Sequence, residues 1–246
     1  MPREMLCFDS SRLTRQTRRG NGILANLALS NMQPNPFSTR FIQPGAISYE
    51  CFDGRTVTEL AERFLKLPSK RGIIVGPHGS GKSTLVASLV LNLPSIASHS
   101  RIHSLRFSTD KSAAKSLNSA VKEWTPHSIA ILDGYEQLKF WSRLRVEWIA
   151  RARSISILAT AHRSVRGFET IWETSVTESS SQWVVEQLLL QSGLPSGANE
   201  LLQSEAWSRS RAKHGQNLRE SLFDMYDWWQ SSQSAESNRG GSVRPH

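Results

Sequence analysis

The sequence predicts an α/β fold, a parallel sheet covered by helices on both faces, and three observations point to it. Short apolar runs alternate with stretches whose apolar residues recur at helical spacing. A glycine-rich segment, Gly76-Pro77-His78-Gly79-Ser80-Gly81-Lys82-Ser83, separates the apolar run Ile73-Ile74-Val75 from a stretch with Leu85, Leu89 and Leu93 on one helical face. A second run, Ile129-Ala130-Ile131-Leu132, closes on the acid Asp133. Short strands that are apolar along their whole length belong to parallel sheets buried on both sides.

Taken in order, residues 1–34 read as a basic, disordered tail. Arg3, Arg12, Arg15, Arg18 and Arg19 face only Glu4 and Asp9, while Gly20, Asn21, Gly22 and Pro34 break any regular pattern. Ile23, Leu24, Leu27 and Leu29 are spaced for a short helix. An arginine-rich, acid-poor start also has the composition of an organellar transit peptide, though no amphipathic helix surrounds these arginines. Asn35 to Ala46 contains Pro36, Pro44 and Gly45 and is expected to run extended over the surface. Thr56 to Leu67 places Val57, Leu60, Phe64 and Leu65 on one helical face.

After the glycine-rich loop and its helix, Arg101 to Phe107 reads as a second strand. Thr109 or Asp110 then caps a helix with Ala113, Ala114, Leu117, Val121 and Trp124 inward, ended by Pro126. Ser128 to Leu132 is a third, buried strand. Gln137 to Ala152 is a helix whose stripe of Leu138, Trp141, Leu144 and Trp148 is expected to face the core. Ser154 to Thr160 is a fourth strand, and a short fifth falls around Ile171 to Val176. The implied organisation is a core over 35–176, a small C-terminal helical lid over 177–230 and a disordered, Ser/Gly/Arg-rich end over 231–246.

The loop letters fit G-x-x-x-x-G-K-[ST], the phosphate-binding pattern called Walker A. Glycines let the backbone turn tightly and aim its N–H groups at an anion, and the following helix adds the positive end of its dipole. The nucleotide-binding segment is therefore Gly76, Pro77, His78, Gly79, Ser80, Gly81, Lys82, Ser83 and Thr84, with the backbone of 79–84 on the phosphates. Lys82 is placed to reach the β- and γ-phosphates of ATP, and Ser83 to bind Mg²⁺. Asp133, at the end of a buried strand, fits Walker B and is the second Mg²⁺ residue. Beyond the fourth strand, Thr160 and His162 point near the γ-phosphate, since ligands of open α/β sheets bind past the carboxyl ends of strands. His162 alternatively just caps its strand. In His214-Gly215-Gln216-Asn217-Leu218-Arg219-Glu220, Asn217 and Glu220 suit a helix N-cap with its reciprocal partner. Arg219 then sits in the first turn, where the dipole disfavours a cation, so it serves either a phosphate or only the surface.

These residues together resemble a P-loop NTPase of the additional-strand class, and within it the AAA+ ATPase-like group. That resemblance implies a three-layer sandwich with a parallel sheet, a sensor role for Thr160 to His162, a sensor-2 role for Arg219, and a linker at Asn35-Pro36-Phe37 lying against the nucleotide base. His162 is also similar to the switch histidine of ABC ATPases, but no L-S-G-G-Q stretch is present. One departure stands out. The group usually follows the Walker B aspartate directly with a catalytic glutamate, and here Gly134 and Tyr135 intervene before Glu136. Glu136 can serve as general base if Gly134 turns the chain sharply enough to bring it within hydrogen-bond reach of a water. The function is then either a Mg²⁺-dependent ATPase that moves its lid or a partner, or a very slow or non-hydrolysing nucleotide switch. A small-molecule kinase uses the same loop but lacks an acceptor-binding motif here. No N-K-x-D motif reads guanine, which favours adenine.

The net charge of +9 suggests an anionic partner, nucleic acid or an acidic protein, or simply a basic tail on an ordinary domain. Lys139, Arg143, Glu147 and Arg151 recur at four-residue spacing and read as a solvated face. All eight tryptophans lie at or beyond Trp124, where mixed Trp and Arg suit single-stranded nucleic acid. Trp141, Trp148 and Trp229 nonetheless sit on apolar stripes and are expected in the core. Two cysteines, Cys7 and Cys51, make neither a disulfide framework nor a zinc site, and no apolar run reaches membrane-span length, so a cytoplasmic location without a membrane is expected.

Overall fold

The computed structural model describes residues 34–97, 100–107, 113–194 and 197–240. Apart from Pro34, the expected basic tail and its short helix lie outside the described residues. So do the expected caps Thr109 and Asp110 and the final stretch 241–246. Among the described residues the helices are α1 (Thr39–Ile42), α2 (Val57–Leu65), α3 (Lys82–Ile96), α4 (Ala113–Glu123), α5 (Phe140–Ala152), α6 (Glu178–Gln191), α7 (Ala198–Leu202), α8 (Glu205–His214) and α9 (Leu218–Gly240). The strands are β1 (Arg71–Val75), β2 (Ile102–Arg106), β3 (Ile129–Asp133), β4 (Ser156–Ala161) and β5 (Glu169–Glu173).

The strands form one sheet in the order β2-β3-β4-β1-β5, and every pairing is parallel. β4 is thus inserted between β1, which feeds the glycine-rich loop, and β3, which ends in Asp133. This is the additional-strand arrangement of a P-loop α/β fold. β1 and β3 are buried along their whole length, whereas the edge strands β2 and β5 are only partly covered.

The period of two along each strand builds a three-layer sandwich. Ile73, Val75, Ala130, Leu132, Ile157 and Ala159 face α4 and α5, meeting Leu117, Val121, Val146 and Ile149. Ile74, Ile129, Ile131 and Leu158 face the other way, onto Leu60 and Phe64 of α2 and Leu85, Leu89 and Leu93 of α3. α2 opens on a capping box in which Thr56 and Glu59 each satisfy the other's backbone N–H. A third cluster gathers Val185, Leu188, Leu201, Trp207, Leu222 and Met225 from α6 to α9.

Three sequence expectations give way. First, the segment after Asn35 does not run extended over the surface. Asn35 closes a turn onto the N–H of Phe37 and donates to the Tyr226 carbonyl of α9, and Phe37 is fully buried in the third cluster with Trp229 against it. Burying one phenylalanine there outweighs the local preference of Pro36 for an extended chain.

Second, α5 is turned round. Trp141 and Trp148 are 78% and 70% exposed, and Leu144 is also exposed, while Val146, Ile149 and Ala150 are inside. Apolar residues occur all round this helix, so periodicity alone does not choose its face. Polar contacts choose it. Glu147 turns inward to Arg71 at 3.2 Å and accepts from the Tyr135 hydroxyl, so it does not belong to a solvated stripe. Arg143 folds back to donate to the Glu136 and Leu138 carbonyls.

Third, α9 continues past Gln230 to Gly240, into the stretch expected to be disordered. Ser231 and Ser232 return their hydroxyls to the carbonyls of Asp227 and Trp228. From Leu218 onward the sequence meets no proline or glycine before Gly240, so nothing local breaks the helix earlier. No described helix is long and apolar enough to cross a membrane.

Candidate functional site

The sheet register sets the site. Val75 pairs with Ala161 and Arg106 with Asp133, so the loop after β1, the end of β3 and the end of β4 meet at one carboxyl edge. Above them opens a cleft of about 820 Å³, lined by the loop, by Asp133, Glu136, Thr160 and His162, and by Arg219 and Leu222 of α9.

The loop is built as a cradle. Gly79 takes a left-handed φ of 69°, and a Cβ there would fall on Asn217 Oδ1 at the start of α9, so a side chain would be strained and would displace Asn217. Ser80 is buried and anchors the loop by hydrogen bonds to the Pro77 carbonyl at 2.8 Å and the Thr174 hydroxyl at 2.6 Å. Thr174 in turn reaches the Val75 carbonyl, tying the loop to the end of β5. Lys82 begins α3 and donates to the carbonyls of Gly76 at 2.7 Å and Pro77 at 2.6 Å. Burial pulls its ammonium below the ordinary lysine range, partly offset by Glu136 and Asp133 nearby. Ser83 and Thr84 follow it in the first turn of α3, and both line the cleft.

Asp133 is buried and doubly held. Its Oδ1 accepts from the Thr160 hydroxyl at 2.7 Å, and its Oδ2 accepts from Arg106 Nε at 2.9 Å. Thr160 also accepts from the Gly134 N–H at 2.8 Å, so its single hydroxyl proton is committed to Asp133. Thr160 therefore ties β4 to β3, and of the two residues read at the end of β4 only His162 keeps a ring directed at the loop.

Gly134 makes the sharp turn that the departure from the usual pattern required. Its φ of 87° is left-handed, and a Cβ would stand 3.0 Å from the Phe107 carbonyl. The following 3₁₀ turn, Tyr135–Gln137, buries Tyr135 and swings Glu136 into the cleft. Glu136 Oε1 lies 3.0 Å from His162 Nε2, and Glu136 Oε2 is buried with no hydrogen-bond partner. His162 Nδ1 lies 3.2 Å from the Gly76 carbonyl. A carbonyl can only accept, so this contact is a hydrogen bond in the forms of the ring that carry a hydrogen on Nδ1. His78 packs on the His162 ring at 3.8 Å between centroids, and burial, followed by His162 and Lys82, lowers its pKa.

On the C-terminal side of the cleft, Arg219 is exposed and rests over the Phe223 ring at 5.6 Å, with no hydrogen bond or ion pair among the described residues. Asn217 caps α9 through the Glu220 N–H, at a long 3.4 Å. Gln216 was not singled out in the sequence, yet its amide pairs with both backbone groups of Val176 and fixes the approach to Arg219. Tyr49 and Trp172 were missed as well. Trp172 donates to the Tyr49 hydroxyl at 3.0 Å, and the Tyr49 ring would stand 3.2 Å from a Cβ at Gly81. Neither carries a motif, and only the meeting of distant segments brings them to the loop. The linker reads differently too: Phe37 lies in the third cluster, and it is Phe41, Ile42 and Ile47 that line the cleft.

Among the described residues no group of three or more His, Cys, Asp or Glu side chains gathers to hold a metal. A phosphate-bound magnesium needs fewer protein ligands, because phosphates and waters supply most of its oxygens. The side chains at hand for it are Ser83 and Asp133.

No family model matches the sequence, and no curated protein matches it. Solved structures do resemble it in fold. A RuvB variant of Thermotoga maritima is 12% identical over 69% of this chain and 66% of its own, with a TM-score of 0.42. PCH-2 of C. elegans is 12% identical over 72% of this chain and 67% of its own, at 0.40. Domain III of the Thermotoga maritima replication initiation protein DnaA is 14% identical over 69% of this chain and 90% of that domain, at 0.40. The chain thus spans just under two thirds of the RuvB variant, and its P-loop fold is read from its own sheet order and loop.

Proposed function

We propose that the chain binds Mg²⁺-ATP in this cleft and hydrolyses it slowly, coupling nucleotide state to movement of the 177–230 lid or of a partner. The observation that carries the reading is the convergence of Glu136, His162 and the Gly76 carbonyl at the mouth of a loop whose Gly79 and Gly81 take left-handed φ. A glycine cradle at a helix N-terminus suits phosphate, and a phosphate beside Lys82 would offset the desolvation that lowers its pKa. Ser83 and Asp133 would hold the magnesium, which supplies charge neutralisation across the phosphates. Thr160 positions Asp133. Glu136 takes the proton of the attacking water while His162 holds the carboxylate in place, and Arg219 meets the γ-phosphate from the lid. The base lies among Ile42, Ile47, Tyr49 and Leu218, an apolar setting with no guanine-reading motif.

A second reading, the nucleotide switch, is favoured by one feature: both carboxylates are already engaged, Asp133 by Arg106 and Glu136 by His162. Phosphate release separates the two. Lys82→Ala should abolish most ATP affinity in a calorimetric titration. Glu136→Gln should keep that affinity and lower turnover by about 10²–10⁴, the usual worth of a general base. Equal affinity in folded Lys82→Ala protein removes the loop from the site. A wild type that binds ATP and never releases phosphate, with or without partners, leaves the switch as the function.

A further inference from the structure

The outward face of α5 is unusual for a surface helix. Phe140, Trp141, Leu144 and Trp148 are all exposed, and the Phe140 and Trp141 rings pack edge to face at 5.4 Å. Trp141 and Trp148 are two turns apart, about 10 Å along the helix at 1.5 Å per residue. Contiguous exposed aromatic surface of this kind marks an interaction site.

The exposed charges of the helix itself have one sign. Lys139 stands at the N-cap, and Arg145 and Arg151 are exposed along the helix. The helix has one acid, Glu147, and that turns inward to Arg71 and Tyr135. The first turn holds no acid, although the helix dipole favours one there; Arg151 in the last turn suits the dipole, whereas Lys139 and Arg145 gain nothing from it. A second copy of the chain is a poor occupant. Helices meeting about a two-fold axis would bring Lys139, Arg145 and Arg151 against the same cations.

We propose that this face binds single-stranded nucleic acid, with Trp141 and Trp148 stacking bases and Arg145 and Arg151 neutralising the backbone. Unpaired bases offer flat apolar faces beside a continuous negative charge, the complement of alternating rings and cations. The site is separate from the ATP cleft and does not depend on it.

The test uses the full chain and a fluorescently labelled oligothymidylate at low salt, read by anisotropy. Wild type should bind the single strand more tightly than a duplex of equal length. Trp141→Ala and Trp148→Ala should each weaken binding about tenfold, the range found for removing one stacking aromatic. Arg145→Gln with Arg151→Gln should reduce the slope of log affinity against log salt by about 1.4, at about 0.7 per cation on a single strand. ATP affinity and thermal midpoint should stay at wild-type values, which separates loss of the face from loss of the fold. Binding that ignores both tryptophan changes assigns the nucleic acid to other cations of the chain and overturns the proposal. So does failure of the wild type to bind at low salt. Self-association in sedimentation that the tryptophan changes abolish, without oligonucleotide binding, makes the face a self-interface instead.

Discussion

Two helices leave the site in parallel ways and end with opposite surfaces. α3 follows β1 and α5 follows β3, and each is preceded by a left-handed glycine, Gly81 at φ 93° and Gly134 at φ 87°. Each turn delivers a charged residue to the cleft, Lys82 on one side and Glu136 on the other. Each helix carries an apolar stripe at helical spacing. Leu85, Leu89 and Leu93 are fully buried, while Trp141, Leu144 and Trp148 are exposed. The difference teaches that a stripe predicts a face only when nothing else competes for the sheet. On α5 the competitor is polar: Arg71 at the start of β1 is buried, and Glu147 must face it, because a lone buried charge costs several kcal/mol.

The largest expected effect breaks the comparison at its packing. Leu89→Ala should destabilise by about 2–5 kcal/mol in urea unfolding, since it empties a fully enclosed site between α3 and the sheet. Leu144→Ala, at the matching position of the outward stripe on α5, should stay within about 0.5 kcal/mol of wild type. Similar losses for the pair would mean that the α5 stripe is covered in solution.

A smaller effect sharpens the comparison at the turns. Gly134→Ala places a Cβ against the Phe107 carbonyl in a left-handed backbone, and should cost about 1–3 kcal/mol. Under the proposed function it should also slow phosphate release, because relaxing the turn draws Glu136 away from His162. A variant that loses stability but keeps its turnover would show that Glu136 does not act through this turn.

The same contrast explains what the sequence made legible. Walker A, the alternation of strand and helix, and the buried face of α3 are local signals, written within a few residues of the structure they specify. The β3 turn was half legible: Gly134 announced a bend, and whether Glu136 reached the cleft depended on His162, across the inserted strand β4. Thr174 under Ser80, Gln216 at Val176, Tyr49 against Gly81 and Arg106 on Asp133 had no local mark at all, being met only when distant segments close on the loop. The face of α5 was misread because its decisive partner, Arg71, lies at the far end of another strand.

The smallest effect sets the two faces of the sheet apart by pH. Each buries a weak acid. Cys51 packs in the cluster around α2 and α3, and burial, with Asp53 and Glu50 adding to it, pushes its thiol up from 9.0 to about 11. Tyr135 packs on the α5 side, and burial and the Glu147 carboxylate raise its phenol above its usual 10.0. A raised acid keeps its proton in the folded chain after the unfolded chain has lost it. Its contribution to stability is therefore complete below the unfolded pKa and declines as pH rises beyond it. On the α3 side the decline begins near pH 9, and on the α5 side only near pH 10. Between those values the slope belongs mainly to Cys51 and should amount to about 1 kcal/mol by about pH 10. Cys51→Ala should flatten the curve of unfolding free energy from about pH 8.5 to 10 while leaving the steeper fall above it, where Tyr135 and Tyr49, whose phenol is also raised, lose their advantage. An unchanged slope in the Cys51→Ala protein would place the thiol in contact with water, and the α3 side of the sheet would then be less tightly closed than its buried leucines imply.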